Sequence, residues 1–195
     1  MPNAIVSVYD KTRLDYLGSL LKQHKFTVFS TPGTRRALKS LGYDSQPVEL
    51  ITGNPDGYND LVSSFGFKTM VAALEGNRNR LIRDGIYPID LVVYNFVPSW
   101  KFVSSLDQFN IKNVDFGGPA IIKAAALNFR NVIPLVLPLQ YSLLEDYPDI
   151  DFQTRCDLAQ VALRSCYEYD KRLVELLHTL SLTDTASMQC SCDGI

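Results

Sequence analysis

Two short segments gather hydroxyls, a cation and a glycine where a strand gives way to a helix. Ser7-Val8-Tyr9-Asp10-Lys11-Thr12 sets the hydroxyls of Ser7 and Thr12 and the Lys11 ammonium beside the first free amides of a helix, a combination that suits an anion. Ser30-Thr31-Pro32-Gly33-Thr34 adds the hydroxyls of Ser30, Thr31 and Thr34, and at Gly33 a residue that lets backbone approach a ligand. Either turn alone reads as ordinary capping, because Ser and Thr before a helix commonly just bond nearby backbone. Together, at neighbouring strand ends, they read as a phosphate pocket. A third segment, VDFGGPAIIKAAALN from Val114 to Asn128, puts Pro119 near the first helical position and Gly117 and Gly118 where amides can face a ligand. Asp115 then sits at the helix mouth, where it serves either chemistry or the helix dipole. Lys68, in Phe67-Lys68-Thr69, carries no meaning alone, since a lone lysine is ordinarily solvated surface.

Other chemistries find little support. His24 and His178 lie far apart, so no histidine-based metal site and no cofactor is expected. Cys156 and Cys166 fall in a strongly helical stretch, and Cys190 and Cys192 in the polar run SMQCSCD; neither pair has zinc or redox spacing. The 19 basic and 21 acidic side chains nearly cancel, which argues against nucleic acid or an anionic membrane as a partner. No apolar run reaches transmembrane length, and Met1-Pro2-Asn3 leads straight into a strand-like run, so a cytoplasmic location is expected. The 195 residues suit one domain, expected over 1–180, followed by a polar C-terminal tail over 181–195.

The elements that must position these segments follow from the apolar runs. Ala4–Val8 reads as a strand buried on both faces, and Phe26–Ser30, Val48–Ile51, Ile89–Asn95 and Val132–Leu137 read as further strands. Asp10 is the expected N-cap of a helix carrying Leu14, Leu17, Leu20 and Leu21. Further helices are expected over Arg35–Leu41, weakly over Phe67–Arg83, over Pro119–Asn128, and as one long amphipathic element over Phe152–Leu180. Thr52–Gly66 reads as a long loop. Strands alternating with helices in this order mean an α/β fold, an open and mostly parallel sheet covered by helices. Ligands of such sheets bind beyond the carboxyl ends of the strands, where the three segments fall.

In order along the chain, these segments resemble the IMP cyclohydrolase domain of the bifunctional purine-biosynthesis enzymes (aminoimidazole carboxamide ribonucleotide transformylase/IMP cyclohydrolase). SVYDKT is similar to the family's S-V-S-D-K-T and FSTPGT to its S-T-G-G-T. Thr52-Gly53-Asn54-Pro55 resembles T-G-F-P, Phe67-Lys68-Thr69 resembles V-K-T, and YPIDLVVYNFVP resembles P-I-D-L-V-V-x-N-L-Y-P. VDFGGPAIIKAAALN resembles I-D-I-G-G-x-x-x-x-R-A-A-A-K-N, and Tyr169-Asp170 fits a late Y-D. The resemblance runs from about residue 4 to 178. It implies a methylglyoxal-synthase-like fold, a ribonucleotide substrate, an open expectation of homodimerisation, and no transformylase domain in this chain. By the same resemblance Lys68 and Asp115 take the catalytic positions, a lysine near an oxyanion and a carboxylate accepting an amide proton. The 5′-phosphate goes to Ser7, Lys11, Thr12, Ser30, Thr31, Gly33 and Thr34, with Thr69, Asn95, Gly117 and Gly118 added from the matched motifs.

The departures fall at the reacting end. Val97 stands where the family has a tyrosine, Leu127 where it has a lysine, and Phe129 and Val71-Ala72 where it has histidine-bearing motifs. Gly66 replaces an arginine and Pro32 a glycine. Two readings stay open: a divergent enzyme closing a ring on this or a related ribonucleotide, and a non-catalytic nucleotide-binding module using the same cradle.

Overall fold

The computed structural model describes residues 1–52, 66–103, 109 and 114–190. Its sheet is built from β1 (Asn3–Val8), β2 (Thr27–Ser30), β3 (Gln46–Pro47), β4 (Leu91–Asn95) and β5 (Ile133–Leu135), all parallel, in the order β3-β2-β1-β4-β5. β1 lies at the centre with every residue buried, which explains its unbroken Ala-Ile-Val run. Ile5, Phe29, Val92 and Tyr94 face one apolar layer, and Ala4, Val6, Val8, Val93 and Leu135 face the other.

The first layer is completed by three helices, α4 (Phe67–Leu74), α6 (Gly117–Leu127) and α7 (Phe152–Cys190), through Ala73, Ile121, Ala125, Ala162 and Cys166. The second is completed by α1 (Leu14–Gln23), whose Leu14, Leu17 and Leu21 are buried, and by the 3-10 segment Pro138–Asp146 with Tyr141 and Leu144. Helices α2 (Pro32–Ser40), α3 (Glu49–Thr52) and α5 (Arg78–Arg83) fill the connections. The chain steps one way from β1 to β3 and the other way from β4 to β5. The reversal therefore falls between β1 and β4, where Ser7 pairs with Tyr94 and Val8 with Asn95.

Several expected boundaries moved for identifiable reasons. Val48–Ile51 is not a strand: the edge pairing ends at Pro47, and Val48 leads into the single turn of α3. A short apolar run cannot tell the two apart, since burial alone fits both. Asp10 does not cap α1, which begins at Leu14 after Arg13 in a left-handed conformation (φ 58°). The Asp10 carboxylate instead accepts the Thr12 amide at 2.9 Å. α2 starts at Pro32 rather than Arg35, so Gly33 and Thr34 belong to its first turn. The stretch expected as one helix over Phe67–Arg83 breaks at Gly76-Asn77, where Asn77 accepts the Arg80 amide and caps α5. The expected loop over Thr52–Gly66 lies outside the described residues except at its two ends. α7 continues through 181–190, so the polar run expected as a tail is helical to Cys190.

Candidate functional site

The two hydroxyl-rich turns meet across β1 and β2. Ser7 Oγ lies 3.0 Å from Thr31 Oγ1, which in turn lies 3.4 Å from Thr34 Oγ1. Thr34 Oγ1 accepts the Val8 amide at 3.0 Å and is buried, so the second turn is fastened to the end of β1. Because α2 begins at Pro32, the amides of Gly33 and Thr34 fall in its first turn, where no helix carbonyl reaches them. A Cβ at Gly33 would meet nothing within 4 Å, so the Cα of Gly33 borders open space.

Lys11 bends back so that Nζ donates to the Val8 carbonyl, which holds the ammonium at the same strand end. Burial pushes the Lys11 ammonium below the ordinary lysine range, partly offset by Asp10. Hydrogen bonds from Thr12, side chain first and then backbone, hold the Asp10 carboxyl below its ordinary range. Asn95, at the end of β4, accepts the amides of Tyr9 and Asp10 at 2.5 and 2.8 Å and donates to the Asp10 carbonyl at 3.2 Å. Ser7, Lys11, Thr31, Gly33, Thr34 and Asn95 are thus gathered at the carboxyl ends of β1, β2 and β4. Ser30 is not among them: its hydroxyl is engaged elsewhere, 2.6 Å from Ser45 Oγ. Thr12 is exposed at the rim.

A second group forms around Asp115 at the start of α6. Oδ1 accepts the Gly118 amide at 3.0 Å and the Tyr94 hydroxyl at 3.1 Å, and Oδ2 accepts the Val97 amide at 3.2 Å. The Asp115 amide donates to the Tyr169 hydroxyl at 2.9 Å, and that phenol shares a 3.1 Å hydrogen bond with Ser99. Burial pushes the Asp115 carboxyl above the ordinary range, against the three donors that pull it back. Gly118 is required here: a Cβ would lie 2.2 Å from Tyr94 Cε1 and 2.8 Å from Asp115 Oδ1. Gly117 is buried beside it. Sequence reasoning named Asp115, Gly117 and Gly118 and missed Tyr94, Ser99 and Tyr169 as partners. Tyr94 and Tyr169 stand 21 and 54 positions from Asp115, and Ser99 stands 70 from Tyr169, so these bonds leave no local signal.

Lys68 and Thr69 open α4. Thr69 is buried, its hydroxyl accepting the Gly66 amide and donating to the Gly66 carbonyl at 3.0 and 2.9 Å, which closes the first turn. Lys68 is exposed and makes no hydrogen bond or ion pair among the described residues. The far ends of α4 and α6 are tied, since Asn128 Nδ2 donates to the Ala73 carbonyl at 2.9 Å and Gly76 abuts Asn131. Lys68 and Gly117 stand on the opening turns of these two helices, at the ends opposite to this tie. Leu127 is 70% exposed at the other end of α6, about 15 Å along the axis from Gly117. Within one chain, the residue replacing the family lysine is remote from Asp115.

Beside this group a groove of about 540 Å³ runs between the end of β4, β5 and α7, lined among others by Asn95, Phe96, Trp100, Leu137, Tyr169 and Arg172. Phe96 and Trp100 pack on Tyr169 with ring centroids 5.2 and 5.6 Å apart, so these aromatics brace the phenol that holds the Asp115 amide. Among the described residues no cluster of three or more His, Cys, Asp or Glu could hold a metal ion, and no helix is long and apolar enough to cross a membrane. Cys166 is buried, and burial pushes its thiol up to about 11, an inert core position.

Comparison with known proteins gives a consistent result. No family model matches the chain. The bifunctional purine biosynthesis protein PurH of Persephonella marina is 33% identical over 187 residues, which is 90% of this chain and 36% of that protein. PurH of Bacillus subtilis is 30% identical over 186 residues, 89% of this chain and 36% of that protein. The chain thus spans little more than a third of the length of these curated relatives. Among solved structures, the crystal structure of ForH superposes with a TM-score of 0.78 and 28% identity, covering 90% of this chain and 98% of that one. The α/β, methylglyoxal-synthase-like arrangement expected from the sequence stands, with all described strands parallel.

Proposed function

The chain is a PurH-like domain of the IMP cyclohydrolase type, and from that premise we propose that it binds a purine-precursor ribonucleotide and closes its second ring by loss of water. The substrate class is a formamido-imidazole-carboxamide ribonucleotide or a close analogue. The observation that carries this reading is the pairing at one sheet edge of a hydroxyl-and-amide cradle with a half-buried, bond-restrained carboxylate at Asp115.

Ring closure joins a carboxamide nitrogen to a formyl carbon. A neutral amide is a weak nucleophile, so holding both groups in contact accounts for a large part of the barrier, up to roughly 7–11 kcal/mol. The cradle holds the phosphate with Ser7, Lys11, Thr31 and the first-turn amides of α2, which fixes the base relative to Asp115. In the attack, a carboxamide N–H bond breaks and its proton passes to the Asp115 carboxylate as the new C–N bond forms. The formyl π electrons move to oxygen, and the Lys68 ammonium protonates that oxyanion. In the dehydration, the carbinol C–O bond breaks and its oxygen takes the proton from Asp115, leaving as water. Neutral Lys68 recovers a proton from the former formamide nitrogen as the C=N bond forms. Both residues return to their starting states.

A second reading, a nucleotide-binding module without turnover, is favoured by Val97, which removes the phenol the resemblance places two residues after Asn95. One experiment separates the two. The protein and its Asp115→Asn variant are given the formamido ribonucleotide, with ring closure followed by absorbance and binding by calorimetry. Enzyme action predicts turnover by the unmodified protein, a loss of about 10²–10⁴-fold in the variant, and affinity within about tenfold. Binding without turnover selects the module, and no phosphate-dependent binding removes both.

A further inference from the structure

Asp115 is held asymmetrically. Oδ1 accepts two donors, the Gly118 amide at 3.0 Å and the Tyr94 hydroxyl at 3.1 Å, which occupies the capacity of one carboxylate oxygen. Oδ2 accepts only the Val97 amide among the described residues, at 3.2 Å. The Tyr94 ring cannot drift from this place, because it lies against Gly118 so closely that even a methyl group there would overlap it. Tyr94 also packs at 6.0 Å on Phe96, which packs on Tyr169, so the phenol is braced from β4 through to α7.

We propose that Tyr94 is the positioning residue for Asp115: its hydroxyl, with the Gly118 amide, closes Oδ1 and leaves Oδ2 as the oxygen that takes the ligand's proton. This rests on the ring-closing reading for the identity of the proton donor, a carboxamide N–H, but the arrangement of the carboxylate does not. The phenol comes from the β4 position aligned with an unspecified residue in the family motif, three places before Val97, where the motif has its tyrosine. In this chain Val97 contributes its main-chain amide to the same carboxylate. Among the described residues, the other ionisable groups nearby include Tyr169, bonded to the Asp115 amide rather than the carboxylate, and Lys123 with Asp170, which pair with each other at 2.8 Å.

The test is a carbon-13 NMR titration of the Asp115 carboxyl in the ligand-free protein and in Tyr94→Phe. Losing a donor to a charged oxygen should raise the Asp115 midpoint by about one pH unit. Tyr169→Phe should leave it within a few tenths. An unchanged midpoint in a folded Tyr94→Phe overturns the proposal. Should that variant fail to fold, 3-fluorotyrosine at position 94 alone supplies a stronger donor of nearly the same shape and should lower the midpoint; no shift there also overturns it. A ligand complex should place the carboxamide nitrogen against Oδ2, and contact at Oδ1 instead overturns the assignment. The titration needs no turnover, so a protein that binds but does not react would sink the ring-closing reading while this test still stands.

Discussion

Tyr94 and Asn95 are consecutive on β4 and hold the two halves of the site. Asn95 takes the amides of Tyr9 and Asp10 and fastens the turn after β1, while Tyr94 reaches the Asp115 carboxylate at the start of α6. Alternation along a strand sends neighbouring side chains to opposite faces, so a single dipeptide fixes the spacing between cradle and carboxylate.

The cradle is built to be tested through the phosphate. Lys11→Met should weaken binding of a ribonucleotide by about ten- to a hundredfold, the worth of a charge-assisted hydrogen bond, and leave the corresponding nucleoside unaffected. Calorimetry with both ligands checks this, and equal losses for the two would place Lys11 away from the phosphate.

Two glycines should behave oppositely. Gly33→Ala meets open space in a helix first turn and should stabilise the free protein by about 0.4–1 kcal/mol while weakening phosphate binding. Gly118→Ala drives a methyl into Tyr94 and Asp115 and should destabilise by about 1–3 kcal/mol. Urea denaturation of both variants, with ligand titration of the first, provides the comparison.

Thr34 joins β1 to α2 through a buried hydroxyl. Thr34→Val keeps the shape but leaves the Val8 amide without its acceptor, and should cost about 1–3 kcal/mol. Thr34→Ser keeps the oxygen and should restore most of that loss in the same denaturation assay.

The pH dependence follows from Asp115. Its folded value is raised above the ordinary 3.8, so the folded state binds the proton more tightly than the unfolded chain. The resulting stability is present below the ordinary carboxylate value and lost as pH rises through the folded one. Turnover runs the other way, because the base must be ionised: its acidic limb should lie above the ordinary carboxylate range. Denaturation across pH 3.8 and upward, with Asp115→Asn as reference, should show the fall in the unmodified protein and not in the variant.

Legibility divided along the range of the interactions. β1 and β4 could be read directly, since a strand buried on both faces has to be apolar throughout, and Ile5 and Val6 do enter different cores. The start of α6 was legible to within two residues, expected at Pro119 and found at Gly117, because the fixed φ of Pro119 suits the first turn of a helix. Val48–Ile51 was misread because four apolar residues satisfy a strand and a helical turn alike, and only the end of edge pairing at Pro47 decides.

By itself, then, the sequence determined the parallel α/β order, the hydroxyls and glycines at the strand ends, and the presence of one carboxylate at a helix mouth, because each is set by residue type and spacing within a few positions. Only the tertiary structure decided that Ser30 turns away to Ser45, that Asn95 fastens a turn, and that Tyr94 and Tyr169 converge on Asp115. Those outcomes depend on which faces of distant elements come together. Hydrogen bonds between residues tens of positions apart form only after the sheet and its helices have closed around the same edge.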